Sequence, residues 1–285
     1  QPGERPRNSR ARLSQSPCRT RKAAGVDDRD EDRKLVDPVH RIIPKIEILS
    51  SIDSRFRHFC ETIMISGISR SIAMPSSKIV LHGTPLSGHA HRVELLLLAL
   101  GLPYRTEPAP ADVRQSAAFR RLNPLGQIPV LQDGDLAFAD SNAIMVYLVR
   151  RYAPDSAWLP LDPVGAAHVQ RWLSIAAGEV MHGPSIARLI TQFGLNDDKA
   201  RAKRIATRLL AFMEEHLAAR DYLAAAQPTI ADLACYSYVA HAPEGGISLK
   251  PYPAVRTWLA RIEALPFFKP IPPSPLPSEL DDDAA

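Results

Sequence analysis

The stretch from residue 123 to residue 152 constrains the fold of this chain more than any other part of its sequence. A short apolar strand follows Pro129, and Pro is tolerated at the first position of a strand. Asp133-Gly134 is a strong signal for a two-residue hairpin turn, and residues 136–139 supply the returning strand. Asp140-Ser141 then opens a segment whose apolar residues recur at helical spacing. The stretch therefore predicts an antiparallel hairpin followed directly by a capped helix.

Strand and helix signals alternate in the part of the chain that precedes this stretch. They predict a strand over 79–81, a helix over about 88–100, a strand over 104–107 and a helix over about 112–121. Two parallel strands joined by a helix need a right-handed crossover, whereas the hairpin must be antiparallel, so the sheet is small and mixed. The order βαβαββα predicts an α/β, thioredoxin-like domain over residues 76–153.

Residues 164–269 are predicted to form a second domain that is entirely helical. Three prolines within 154–163 indicate a linker, and the periodic segments that follow have helical spacing over 168–189, 197–217, 229–240 and 252–265. Thr229 with Asp232 three residues later is a capping-box pattern. The Pro-rich and acidic residues 270–285 cannot bury a core and predict a mobile tail.

Residues 1–73 lack sustained periodicity and are predicted to be a disordered extension. They carry 15 Lys and Arg against 10 Asp and Glu, whereas residues 74–285 carry 20 against 21. The near-neutral remainder gives no support for a nucleic-acid partner. One hypothesis starts native translation at Met74, and the alternatives are a targeting peptide, a regulatory arm or an ordered appendage.

Cysteine use and hydropathy bear on the compartment. The three cysteines form neither a CxxC pair nor metal-ligand spacing, which is typical of a reducing compartment and indicates no metal. No stretch approaches the roughly 18 apolar residues of a membrane span. We therefore expect a cytoplasmic protein without a membrane partner.

With Ser87 in the loop before the first helix, the arrangement resembles the glutathione-binding half of the glutathione transferases. The resemblance covers about residues 78–270 and is to the bacterial, Ser-type cytosolic members. In Ser-type members the active Ser stands six residues before a helical Val, and Ser87 precedes Val93 by that spacing. The resemblance implies glutathione as co-substrate, a small hydrophobic electrophile as second substrate, and a homodimer.

Ser87 is the candidate catalytic residue, acting as a hydrogen-bond donor to sulfur and not as a covalent nucleophile. A free thiol has a pKa of about 8.5, and lowering it by two units requires roughly 2.7 kcal/mol of preference for the thiolate. A hydroxyl donor and the N-terminus of the following helix supply part of that energy. The alternative is that Ser87 only caps the helix, and Thr84, His89 and His91 are rival donors.

The remaining glutathione contacts are those that the resemblance implies. A cis bond between Ile128 and Pro129 would leave the Ile128 N–H and C=O free to pair with the cysteinyl backbone, and a trans edge strand is the alternative. Asp140 would hold the γ-glutamyl ammonium and Ser141 the carboxylate, a role compatible with Ser141 as a plain N-cap. Gln127 would bind the glycyl end or be an exposed loop residue.

The electrophile would lie against the first long helix of the helical domain, where the candidates are Glu179, Met181, His182 and Ile186. Met and Ile at helical spacing are more often core than pocket, and His182 beside a Gly-Pro pair indicates a kink. We expect the glutathione thiolate to attack this electrophile. The alternatives are a non-catalytic glutathione-binding or scaffold protein and a glutathione-dependent peroxidase or lyase. A thiol-disulfide exchanger is disfavoured because position 87 carries no Cys.

Overall fold

The computed structural model of the protein describes residues 78–278. The predicted extension over residues 1–73, the proposed start at Met74 and the last residues of the tail lie outside the described residues.

The first half of the described chain alternates strands and helices in the predicted order. Its strands are β1 (Ile79–Gly83), β2 (Tyr104–Pro108), β3 (Val130–Asp133) and β4 (Leu136–Ala139). Its helices are α1 (Gly88–Ala99), α2 (Ala111–Gln115), α3 (Ala117–Leu122) and α4 (Ser141–Tyr152). The single helix predicted over 112–121 is wrong, because Ser116 ends the first helix and caps the second. Its hydroxyl accepts the Phe119 N–H at 3.1 Å.

The four strands form one mixed sheet in the order β2-β1-β3-β4. β1 is parallel to β2 and antiparallel to β3, and β3 pairs with β4 through the predicted hairpin. The peptide bond between Ile128 and Pro129, directly before β3, is cis, as the family resemblance implied. This topology confirms the thioredoxin-like fold of the first domain.

Among its described residues, the second half contains helices and no strand, as predicted. Its α-helices are α5 (Pro163–Ile175), α6 (Ile186–Phe193), α7 (Lys199–Leu217), α8 (Ile230–Ala240) and α9 (Pro253–Glu263). A π-helical segment (Ala176–Ser185) joins α5 to α6, and a short 3₁₀ turn (Ala242–Gly245) follows α8. Residues 154–162 of the predicted linker contain neither helix nor strand, and Pro163 already begins α5.

The helix predicted over 168–189 is helical along its whole length, but its middle, Ala176–Ser185, is π-helical. Pro184 lies inside it and has no N–H for an α-helical hydrogen bond, so a regular helix cannot continue through this point. Gly183 packs against α7 so closely that a Cβ there would lie 2.9 Å from the Ala206 nitrogen. The segment thus shifts the angular positions of the residues that follow it.

Asp232 joins three elements of the helical domain around the buried helix α8. Its carboxylate accepts the Thr229 N–H at 2.9 Å, the Leu223 N–H at 2.9 Å and the Trp258 indole N–H at 3.0 Å. The Thr229 hydroxyl, in turn, accepts the Ala231 N–H at 3.2 Å. The predicted capping box is confirmed, and it also fixes α9 through Trp258.

The C-terminal residues differ from the mobile tail that their composition predicts. Ile271 is buried at 5% exposure, the Ser274 N–H donates to the Glu244 carboxylate at 3.0 Å, and Gln192 donates to the Pro275 carbonyl at 2.8 Å. The composition of residues 270–285 offers too little apolar area to form a core. The segment is instead held through its backbone by polar side chains from the 3₁₀ turn and α6, which composition does not reveal.

His91 on α1 leads to a prediction about acid stability. The ring is 4% exposed, its Nε2 donates to the Lys269 carbonyl at 2.6 Å, and its Nδ1 therefore accepts the Ser237 hydroxyl at 2.9 Å. This is the neutral imidazole, and burial lowers the pKa of His91 to about 4.

Acidification should therefore destabilise the protein through His91. The unfolded ring takes up a proton near pH 6.5, and the folded ring only near pH 4. The stability that the neutral, buried ring contributes is therefore present above pH 6.5 and is lost as the pH falls toward 4. We expect about 2 kcal/mol of it to disappear between pH 7 and pH 5. Urea unfolding at both pH values checks this, with His91→Gln as the non-titrating control. Equal losses in the two proteins would contradict the prediction.

Candidate active site

A cleft of about 1140 Å³ brings most of the predicted site residues together. Those on the thioredoxin-like side are Ser87, Gln127, Ile128, Asp140 and Ser141. The facing wall comes from the helical domain and is mostly apolar, with Met181, Leu189, Phe193 and Tyr238. The cleft thus has one wall suited to a polar ligand and one suited to an apolar ligand.

Ser87 caps α1 and also lines the cleft. Its Oγ accepts the Ala90 N–H at 3.2 Å, so the capping role considered from sequence is present. That bond uses an oxygen lone pair and leaves the hydroxyl proton free, so Ser87 can cap the helix and still donate into the cleft. The first amides of α1 add the positive end of the helix dipole at the same place.

The rival donors differ in where they lie. Thr84 and His89 line the cleft with Ser87, but His91 does not, since both of its ring nitrogens have partners in the protein. Burial, with a smaller effect of the neighbouring Arg92 charge, lowers the pKa of His89 to about 3. His89 is therefore neutral at physiological pH and brings no positive charge to a thiolate.

The loop before β3 presents the backbone that an extended peptide would need. Among the described residues, neither the N–H nor the C=O of Ile128 has a hydrogen-bond partner, whereas Pro129 itself is buried. Asn123 holds the loop, because its side chain donates to the Gln127 carbonyl at 2.9 Å and accepts the Leu125 N–H at 3.1 Å. Gln127 is exposed at the rim of the cleft.

Asp140, and not Ser141, is the N-cap of α4, which corrects the alternative of Ser141 as a plain cap. Asp140 Oδ1 accepts the N–H groups of Asn142 and Ala143, each at 2.9 Å. Its backbone lies at φ 70° and ψ 119°, a conformation that costs a non-glycine residue about 1–3 kcal/mol. The second carboxylate oxygen has no hydrogen-bond partner among residues 78–278, and Asp140 lines the cleft. Ser141 is the first residue of the helix, with its side chain in the cleft wall.

Two arginines in the cleft were not found from the sequence, because each is defined by partners far away in the chain. Arg188 on α6 is 1% exposed, forms an ion pair with Glu244 at 2.5 Å, and donates to the Leu86 carbonyl at 2.8 Å. It therefore fixes the backbone next to Ser87 from the other domain. Arg92 on α1 is equally buried and lies behind Ser141.

A third arginine, Arg114 on α2, also lines the cleft. It lies beside the Gln127 loop, since the Arg114 carbonyl would be 3.1 Å from a Cβ placed on Gly126. The cleft lining thus includes Arg92, which contacts Ser141, and Arg114, whose backbone lies beside Gly126.

The structure corrects three of the four candidates for the electrophile pocket. Met181 lines the cleft, but Glu179 lines a separate cavity, 4.0 Å from Arg208. His182 is exposed away from the cleft, and Ile186 is buried in the core. The four candidates do not share one face even in a regular helix, where successive residues are about 100° apart, so they could not all line one pocket.

Metal-binding clusters and membrane-crossing helices are both absent from residues 78–278. Among residues 78–278, no three His, Cys, Asp or Glu side chains come together in a way that would hold a metal ion. No helix in that range combines the length and hydropathy needed to cross a bilayer.

The fold and cleft define a two-domain protein, thioredoxin-like and then all-helical, with a polar peptide-sized site facing an apolar pocket. Residues 81–156 match the family model for the glutathione S-transferase N-terminal domain, and residues 180–266 match that for the C-terminal domain. The chain belongs to the glutathione S-transferase family, which confirms the resemblance seen in its sequence.

Individual relatives agree with this assignment. Glutathione S-transferase 3 of Zea mays is 32% identical over 219 residues, which cover 68% of this chain and 96% of the relative. A glutathione S-transferase structure from Pseudomonas fluorescens is similar with TM-score 0.64 and 28% identity, covering 68% of this chain and 99% of that one. A glutathione transferase homologue from Drosophila mojavensis, solved with bound glutathione, has TM-score 0.61 and 30% identity, covering 66% and 88%.

Proposed function

We propose that this protein is a glutathione transferase in which the Ser87 hydroxyl stabilises the glutathione thiolate for attack on a hydrophobic electrophile. The observation that carries the proposal is that a capping Ser with a free hydroxyl proton, the unpaired backbone of Ile128 and the helix start at Ser141 open into one cleft. These groups match the three parts of the tripeptide.

Each part of glutathione has a partner of suitable chemistry. The cysteinyl backbone pairs with Ile128, next to the buried Pro129, as a short added strand. The γ-glutamyl carboxylate lies at the N-terminus of α4 with Ser141, and its ammonium meets the free oxygen of Asp140. The glycyl carboxylate lies near Gln127 and Arg114.

The energies suffice for the proposed activation. A hydrogen bond to a charged group contributes about 1.5–3 kcal/mol, and a helix N-terminus adds about 0.3–1 kcal/mol. Together these match the roughly 2.7 kcal/mol needed to lower a thiol pKa by two units. The electrophile packs against Met181, Leu189 and Phe193, where burial of apolar area orients it toward the sulfur.

The homodimer, the cytoplasmic location and the Ser-type assignment stay predictions of the family resemblance. One observation favours a partner subunit. Leu125 and Leu136 are 77% and 53% exposed on the thioredoxin-like half, and exposed apolar side chains of this size favour coverage by another surface.

Two measurements on the purified chain test the proposed function. Calorimetric titration with glutathione should show saturable binding below roughly 1 mM, and 1-chloro-2,4-dinitrobenzene should be conjugated at a rate that saturates with glutathione. Binding without conjugation, and without reduction of an organic hydroperoxide, would favour the scaffold alternative. Absence of any binding heat at millimolar glutathione would overturn both.

A further inference from the structure

Arg92 is a buried cation that forms no direct ion pair among residues 78–278, and the Asp140 carboxylate acts on it only at longer range. Its side chain is 1% exposed, and only Nη1 has hydrogen-bond partners, Asn142 Oδ1 at 3.2 Å and Ser141 Oγ at 3.4 Å. Nε and Nη2 have none among the described residues. Fully buried arginines are rare unless a carboxylate pairs with them, because removing the charge from water is costly.

Arg188 lines the same cleft and is equally buried, but its guanidinium nitrogens have partners in the protein. Its Nε is paired with Glu244, its Nη1 with the Leu86 carbonyl and its Nη2 with the Ser274 hydroxyl. Arg92 has instead the ring of Tyr238, whose centroid lies 5.8 Å away and which carries no net charge. Arg188 thus has a carboxylate in direct contact, whereas Arg92 interacts with the Asp140 carboxylate only at longer range.

The surroundings of Arg92 point to the ligand that would neutralise it. Its bonded nitrogen reaches the first two residues of α4, where the helix N-terminus already favours an anion. His89, which lies 3.4 Å from the same Ser141 hydroxyl, is neutral at physiological pH. Arg92 is thus the residue that brings a full positive charge to this part of the wall, since an arginine stays protonated.

We propose that Arg92 is the fixed counter-charge for the α-carboxylate of the γ-glutamyl residue, acting through Ser141 and Asn142, and is therefore a specificity-determining residue. The inference rests on the proposed binding of glutathione. It predicts that this cleft selects thiols bearing a free carboxylate at that end and discriminates against analogues without it. Arg114 would bind the glycyl carboxylate instead. Selectivity for the α-carboxylate should therefore depend on Arg92, and selectivity for the glycyl carboxylate on Arg114.

Two glutathione analogues test the assignment by calorimetry. One is 4-aminobutanoyl-cysteinylglycine, which lacks the γ-glutamyl α-carboxylate, and the other is the glycyl amide of glutathione. The native protein should bind glutathione at least about tenfold more tightly than the first analogue. In Arg92→Gln that preference should fall to less than about threefold, while the preference over the glycyl amide stays unchanged. Arg92→Lys, which keeps the charge, should retain most of it, and Arg114→Gln should show the opposite pattern.

Thermal unfolding separates this role from a purely structural one. Because the unbound Arg92 charge is unpaired, Arg92→Gln should fold and be at least as stable as the native protein without ligand, yet gain less stability from glutathione. A variant that does not fold, or one that keeps the full preference for the α-carboxylate, would overturn the assignment. If the native protein binds no glutathione, the proposed function fails first. If it binds glutathione and the variant still discriminates, only the role of Arg92 fails.

Discussion

Replacing Ser87 by Ala should lower kcat for conjugation by about 100-fold or more while changing the glutathione dissociation constant by less than about fivefold. The expectation follows from the proposed role of the hydroxyl, which is stronger toward the thiolate than toward the thiol and so acts mainly on the reacting state. Loss of a preorganised donor to a developing anion typically costs 100- to 1000-fold in rate. The pH profile of the reaction should shift upward toward the ordinary thiol pKa of about 8.5.

The capping role of Ser87 has to be separated from its catalytic one. Losing the bond to the Ala90 N–H should cost about 1 kcal/mol of stability, which thermal unfolding measures and which leaves the protein folded. Thr84→Ala, another hydroxyl removed from the same cleft, is the matched control and should change kcat by less than about threefold. An unchanged rate in Ser87→Ala would assign the donor to Thr84, His89 or a backbone amide.

Replacing Asp232 by Asn should destabilise the protein by about 3–5 kcal/mol. The two carboxylate oxygens accept four donors, namely two backbone N–H groups, the Thr229 hydroxyl and the Trp258 indole. An amide of the same shape turns one of these oxygens into an NH₂ group that faces donors in a fully buried position. The buried groups left without a partner each cost about 1–3 kcal/mol.

The same substitution at a solvent-accessible cap is the control. Asp162 caps α5 by accepting the Gly165 N–H at 2.7 Å, and Asn is as good an N-cap as Asp there. Asp162→Asn should therefore change the free energy of unfolding, measured with urea, by less than about 0.5 kcal/mol. A loss below about 1 kcal/mol in Asp232→Asn would mean that its hydrogen bonds contribute little.

The parts of the site that lie close together in the chain were predictable. The hairpin at Asp133-Gly134 and the helix start at Asp140-Ser141 depend on local backbone preferences. Ser87 and Ile128 were singled out through the family resemblance, and the structure brings both into one cleft. Even here the local signal left the cap ambiguous, since Asp140 and Ser141 both have suitable oxygens.

The apolar wall was predicted poorly because the sequence does not show which residues of the long helix turn toward the cleft. Met181 lines it, whereas Glu179 lines a separate cavity and Ile186 is buried in the core. The π-helical segment around Pro184 also departs from regular helical geometry here. The sequence signal was present in the Gly-Pro pair beside His182. Nothing in the sequence indicated that Gly183 lies close to α7, because this contact depends on packing between helices that are distant in the chain.

The sequence by itself determined the overall order of strands and helices, the two-domain division and the family, because turns and periodicity act over a few neighbouring residues. Only the tertiary structure decided which charges are paired. Arg188 forms an ion pair with Glu244 across 56 positions of the chain, whereas Arg92 forms none with any carboxylate of residues 78–278, although as isolated residues the two are the same. Whether a buried charge is neutralised depends on which side chains the fold brings within hydrogen-bonding distance, and residue identity alone does not contain that information.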